Sequence, residues 1–230
     1  MRPLLLVAHG TRDPAGARVV ENLAVAVRKR LPQVRVEIAY ADVRDPDVTT
    51  ALAALAPAVV VPAFLASGYH VRVDIPAQVA DRAVITEPLG PAPGLIAAAH
   101  VRLTEAGWRG EPIVLAAAGS TAVQAQADTE QAAAGLAART GVEVRIGYAT
   151  RSPRITEVAN PGWAVSSWLL APGLFHRSAR ASAPVVSDPL GTHPNVVDLI
   201  VTRYRTAPPA PRPALGLPRT ARVAVQGRQR

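Results

Sequence analysis

The 230-residue sequence contains no cysteine. That excludes disulfides, thiolate metal sites and cysteine-ligated iron–sulfur clusters. Aromatic residues make up only 4% of the chain, so alanine and valine must do most of the filling. No apolar run reaches the roughly 20 residues a membrane-spanning helix needs. Met1-Arg2-Pro3 runs straight into an apolar segment and lacks the layout of a secretory leader. These absences point to a cytoplasmic protein with no membrane partner. Acids are missing from the last stretch. After Ala207 there are five arginines (Arg212, Arg219, Arg222, Arg228, Arg230) and no Asp or Glu. Of the net charge of +8, the remainder of the chain keeps +3, with 20 bases facing 17 acids. A body so mildly basic carries no nucleic-acid footprint. The tail, 207–230, is rich in Pro and Arg without a periodic apolar face, and is expected to be disordered.

What is present is 49% hydrophobic, enough for a sizeable core. Leu4 to Ala8 reads as a buried parallel strand. His9 and Gly10 turn the chain, and Asp13-Pro14 reads as N-cap and first residue of a helix through Leu31. Val34, Val36, Ile38 and Tyr40 alternate as a second strand, with Asp42 at its carboxyl end. Asp45-Pro46 opens a helix to about Ala56. Ala58 to Val61 is a third strand, followed by a loop from Pro62 to His70. Asp74-Ile75-Pro76 reads as the cap and start of another helix. Ala83 to Thr86 is a fourth strand, and a helix runs from about Pro93 to Ala106. Strand–helix alternation of this kind gives a parallel sheet with helices on both faces.

The pattern then restarts. Pro112 to Ser120 mirrors Pro3 to Thr11, Val142 to Tyr148 mirrors the Val34 strand, and Leu169 to Gly173 mirrors Phe64 to Gly68. Asp188-Pro189-Leu190-Gly191 matches Glu87-Pro88-Leu89-Gly90. A period of roughly 100–110 residues is far longer than solenoid repeats. It implies two tandem flavodoxin-like α/β halves, 1–107 and 112–206, facing each other across a cleft. The halves differ chemically. Ala118 stands where His9 stands, and Thr150 roughly where Asp42 stands. His176 lies near the counterpart of His70 but out of register.

His9, Asp42 and His70 each follow one of the first three strands of the first half. In an open α/β sheet ligands bind at that carboxyl edge. Two imidazoles and a carboxylate suit a divalent first-row metal with open positions. Arg12, Arg44 and Arg72 lie beside them as candidate carboxylate ligands, and Ser67, Gly68 and Tyr69 would shape the rim. His100 lies in mid-helix, and His193 reads as a cap.

The residues Val7-Ala8-His9-Gly10-Thr11-Arg12, Phe64-Leu65-Ala66 with Gly68 and His70, Asp74-Ile75-Pro76 and the repeated Pro-Leu-Gly turn resemble the sirohydrochlorin chelatases of the CbiX/SirB type. The resemblance spans roughly Pro3 to Thr206 and extends to the family's long, two-domain form. It implies the class II chelatase fold, with insertion of Fe²⁺ or Co²⁺ into the tetrapyrrole sirohydrochlorin for siroheme or cobalamin. It implies His9 and His70 as the metal-binding and catalytic pair. The family's third, acidic position falls on Asp42, where Glu is common. The metal is then a substrate, no organic cofactor is implied, and a monomer or homodimer is expected. A non-catalytic metal carrier needs the same ligands but no macrocycle cleft. A histidine phosphatase also opens with a strand and His-Gly, but wants an arginine before the histidine, where this chain has Ala8.

Overall fold

The computed structural model describes residues 1–209. The tail expected to be disordered therefore lies, beyond its first three residues, outside the described residues. Two four-stranded parallel sheets form, both with the same order. The first is β2-β1-β3-β4, from β1 (Leu4–Ala8), β2 (Val36–Tyr40), β3 (Ala58–Pro62) and β4 (Ala83–Ile85). The second is β6-β5-β7-β8, from β5 (Ile113–Ala117), β6 (Val144–Tyr148), β7 (Ala164–Trp168) and β8 (Val185–Val186). The expected pair of α/β halves is present.

The apolar run of β1 is explained by what lies on each side. Leu4 and Leu6 belong to one buried cluster, Leu5 and Val7 to another, and all four are fully buried. A strand buried on both faces needs no alternation. Each such leucine contributes on the order of 1.5–3 kcal/mol of burial. On its outer face the first sheet is covered by α2 (Val48–Ala53) and α3 (Ile75–Val79). The second sheet is covered on its outer face by α6 (Ile155–Val158) and α7 (Leu174–Arg180). Between the sheets lies the largest cluster. It is built with α1 (Pro14–Arg30), α4 (Pro93–Glu105), α5 (Val123–Thr140) and α8 (Pro194–Arg205).

The two halves exchange their last helices. Helix α4, which ends the first half, packs against α5 and β7 of the second; α8, which ends the second, packs against α1 and β3 of the first. The exchange is reciprocal down to single bonds. Arg102 of α4 donates from Nη2 to Leu190 O (3.4 Å), and Arg203 of α8 donates from Nε to Pro88 O (3.2 Å). Both acceptors belong to the duplicated Pro-Leu-Gly turns. Those turns brace the loops after β3 and β7: Gly90 N donates to Phe64 O and Gly191 N to Leu170 O. A Cβ on Gly90 would lie 2.3 Å from Leu65 O, so only glycine fits there.

Several boundaries move. Asp13 caps α1 as expected, its Oδ1 accepting from Ala15 N at 2.9 Å. His193 caps α8 through Nδ1, as expected. Helix α2, however, starts at Val48 with Asp47 as the cap, not at Asp45-Pro46. Asp74 does not cap α3. The chain is already helical from His70, in a π-helical turn His70–Asp74 that runs directly into α3.

Candidate metal centre

The carboxyl edges of β1 and β3 carry His9 and His70 to one place. Gly10 makes the turn after His9 with φ +98°, and a Cβ there would sit 1.9 Å from Asp42 O. Only glycine tolerates both the left-handed backbone and that approach. The imidazoles of His9 and His70 stand edge-to-face, ring centroids 4.6 Å apart and planes at 82°. Phe64 lies 6.2 Å from the His9 ring and 6.4 Å from the His70 ring, an apolar neighbour to both. His9 is exposed and His70 half-buried.

Each imidazole is oriented by its Nδ1. His9 Nδ1 lies 3.2 Å from Gly10 O, and His70 Nδ1 lies 2.5 Å from Asp74 Oδ2. A carbonyl, like an ionised carboxylate, only accepts, so these contacts place the proton on Nδ1 and leave the Nε2 lone pair for a metal or a proton. An Nδ1–H held by a carboxylate is the common outer support of metal-binding imidazoles. The sequence offers Asp74 as a helix cap within the Asp74-Ile75-Pro76 motif, not as a partner of His70. The signal that could have found it is the i,i+4 spacing from His70, which places two side chains on one helical face.

Asp42 does not join the pair. Among the described residues no three His, Asp or Glu side chains gather as a metal cage. Its backbone reaches the site, Asp42 N donating to His9 O at 2.9 Å. Its exposed carboxylate instead turns back on the chain, Oδ1 accepting from Val43 N at 2.8 Å. Val43, the next residue, is held at φ +57°, a left-handed conformation rare for a β-branched residue. Asp42 lines, with Arg44, Asp45 and Asp47, a separate hollow of about 440 Å³.

The remaining expected residues lie on the segments that follow β1, β2 and β3. Arg44 is half-buried, donates from Nη1 to Thr11 O at 3.1 Å and lies over the Tyr40 ring at 5.6 Å. Arg12 and Arg72 are exposed. Tyr69 is 63% exposed and stands at the rim, 6.2 Å from the His70 ring. Ser67 and Gly68 face the second half. Ser67 N donates to Asp128 Oδ2 of α5 at 2.7 Å, and a Cβ on Gly68 would meet Ser120 Oγ at 3.7 Å. Asp128 is buried and is also held by Gln124, whose Nε2 donates to Oδ1 at 3.0 Å. On the other side of His9, Arg177 of α7 reaches Asp13 Oδ2 at 2.8 Å. That guanidinium, with the Ala15 N–H, holds the Asp13 carboxyl below its usual range. Both loops of the pair are thus tied to the second half. His176 is not part of the site. It is buried in α7, where desolvation lowers its pKa, and its Nε2 has no partner among the described residues.

Two tandem parallel-sheet lobes with their loops meeting at a two-imidazole site define a chelatase-fold protein. Comparison with known proteins narrows the class. Residues 3–106 match the CbiX family model. The curated relatives that match are sirohydrochlorin cobaltochelatases. The chain is 33% identical over 78 residues to the one of Methanococcoides burtonii, and 37% identical over 81 residues to the one of Methanopyrus kandleri. Those stretches cover 32% and 33% of this chain but only 60% and 57% of the two relatives. Among solved structures, a CbiX described as the terminal enzyme of siroheme biosynthesis in denitrifying bacteria is 26% identical. It superposes with a TM-score of 0.70, over 89% of this chain and 98% of that one. SirB from Bacillus subtilis subspecies spizizenii, in complex with cobalt, shares the fold at 21% identity and a TM-score of 0.75, over 89% and 94%.

Proposed function

We propose that this chain inserts Fe²⁺ or Co²⁺ into sirohydrochlorin. The observation that carries this reading is the pair of imidazoles, 4.6 Å apart, each with Nδ1 tied and Nε2 free. Metalation removes two pyrrole protons and puts a divalent ion in their place. Imidazole suits both halves of that exchange, because its neutral form binds first-row metals and accepts protons near neutral pH. Two imidazoles hold an ion less firmly than a closed four-ligand cage, which favours a metal that must be handed on. Asp42 joins the coordination only if its carboxylate leaves Val43 N, and is the weaker third ligand. Arg12, Arg44 and Arg72 are the candidates to take the carboxylates at the rim of the macrocycle. Ser67, Gly68 and Tyr69 form the wall nearest His70. In this reading the second half supplies the other wall, and domains 1–107 and 112–206 act together.

The test is anaerobic incubation with sirohydrochlorin and either Fe²⁺ or Co²⁺, following the absorbance of the ring. Metalation well above the uncatalysed rate, lost in His9→Ala and in His70→Ala, is the expected result. Metal binding without any change in the ring spectrum would leave a metal carrier instead.

A further inference from the structure

The second half has lost its metal ligands but has kept the frame that held them. Gly119 turns with φ +98°, the same value as Gly10. Thr150 N donates to Ala118 O at 3.0 Å, as Asp42 N does to His9 O. Tyr148 bridges to Arg154 as Tyr40 bridges to Asp47. One side chain is duplicated too. Arg151 donates from Nη1 to Ser120 O at 2.9 Å and lies over the Tyr148 ring at 5.3 Å, repeating Arg44 on Thr11 O and Tyr40.

On this shared backbone the charge is reversed. The first loop, Asp42 to Asp47, carries three aspartates and one arginine. The second, Thr150 to Arg154, carries two arginines and no acid. Its nearest acid, Glu157, is already engaged by Ser152 Oγ and by Arg154 N. The loop is linked to the site through Ser120. Ser120, on which Arg151 rests, is the residue that Gly68 approaches, two positions from His70. A guanidinium fixed by one donor bond and an aromatic face keeps its other donors for a ligand and has less side-chain freedom to lose.

We propose that the Thr150–Arg154 loop is a carboxylate site, in which Arg151, together with Arg154 whose Nη1 is fixed on Ala149 O, binds the anionic rim of the macrocycle from the second half. This rests on the chelatase reading above and adds to it. One copy of the duplicated loop keeps acids in the half that holds the imidazole pair, and the other has become the anion-binding wall. The two halves divide the substrates between them.

The experiment uses the full chain and two separate titrations, one with sirohydrochlorin at low and high salt, one with Co²⁺ alone. Arg151→Ala/Arg154→Ala is expected to weaken sirohydrochlorin binding about 10- to 100-fold, the range for losing charge-assisted hydrogen bonds. It also flattens the salt dependence. Co²⁺ affinity stays as in the parent, and so does binding of the fully methyl-esterified ring. Thr150→Asp/Arg154→Asp restores acids that the same backbone carries in the first half and leaves Arg151 on Ser120 O. It keeps the parent's melting temperature and binds sirohydrochlorin more weakly than the alanine variant. Parent-like sirohydrochlorin affinity and salt dependence in both variants overturn the proposal while the chelatase reading stands. A parent protein that binds Co²⁺ but not sirohydrochlorin overturns both.

Discussion

Replacing Asp74 by Asn tests whether His70 is set by its carboxylate. The contact is short, 2.5 Å from Nδ1 to Oδ2, and both side chains are about a quarter exposed, 28% and 26%. A hydrogen bond to a charged group contributes about 1.5–3 kcal/mol, and partial exposure places this one near the lower end, about 1–2 kcal/mol. Since 1.4 kcal/mol is a factor of ten, the expected loss is about 5- to 30-fold. The amide also has a donor of its own. Rotated, it donates to Nδ1 and forces the proton onto Nε2, the atom that must take the metal. Asp74→Asn should therefore lower both Co²⁺ affinity and kcat for metalation by that factor. KM for the tetrapyrrole should hold, because Asp74 sits behind the imidazole. Asp74→Glu should recover part of the loss. In the His70→Ala background, Asp74→Asn should do almost nothing, since its effect travels through that ring. Parent-like Co²⁺ affinity and kcat in Asp74→Asn would refute this account of the His70–Asp74 contact. So would a full loss in the His70→Ala background.

His9→Ala and His70→Ala should each nearly abolish metalation, with the double variant little worse than either, because the pair acts as a unit; Asp42→Ala should be milder and show mainly in metal affinity. Losses that add in the double variant would show two independent ligands. His176→Gln should leave turnover nearly unchanged and alter the acid side of stability. Burial lowers the His176 pKa, so below about pH 6.5 the unfolded chain takes up a proton the folded one refuses, and stability falls with falling pH; the variant's melting temperature should fall less between neutral and mildly acidic pH, and an unchanged slope would refute this. Ending the chain after Pro209 should not change the melting temperature or metalation, because Arg2 keeps its bonds to Ala207 O and Pro208 O. Residues 1–106 alone lack α8 on β3 and leave α4 without β7; in size-exclusion with light scattering they should dimerise by exchanging α4, and a monomer melting like the full chain would refute this.

Much of this was legible in the sequence because local rules and tertiary context agree. The run Leu4 to Val7 has no alternation, and the strand is buried on both faces. His9-Gly10 reads as a turn at a sheet edge, and Gly10 is the residue that geometry requires there. Where the reading missed, a second rule was in force. Asp-Ile-Pro carries the signature of a cap followed by a proline in the first turn. The proline does sit in the first turn of α3, but the chain is already helical from His70, so the Asp74 carboxylate caps nothing and bonds His70 instead. Asp42 falls at the right end of the right strand, yet its carboxylate accepts from the next backbone N–H, a local alternative open to any aspartate in a turn. The ties from Asp128 and Arg177 were not legible at all, because periodicity tells which face of a helix is apolar and not which loop lies against its polar end.

The helix exchange shows why a duplicated fold could become chemically lopsided without falling apart. If each half kept its own last helix, the contact between halves would rest on loops such as those of Ser67 and Asp13. Instead α4 and α8 cross over, and a single buried cluster runs from Leu4 and Leu6 through Leu95 and Leu103 to Ile113, Leu115 and Ile200. The inner faces of both sheets therefore share one core, to which His9, Asp42, Ala118 and Thr150 do not belong. The carboxyl-edge loops that carry them are free to diverge. In the first half they retain His9, Asp42 and His70; in the second they carry Ala118, Thr150 and Arg151 on matching turns. The interior fixes how the two edges face each other, and on the proposed reading the substitutions at those edges set which half meets the cation and which the anion.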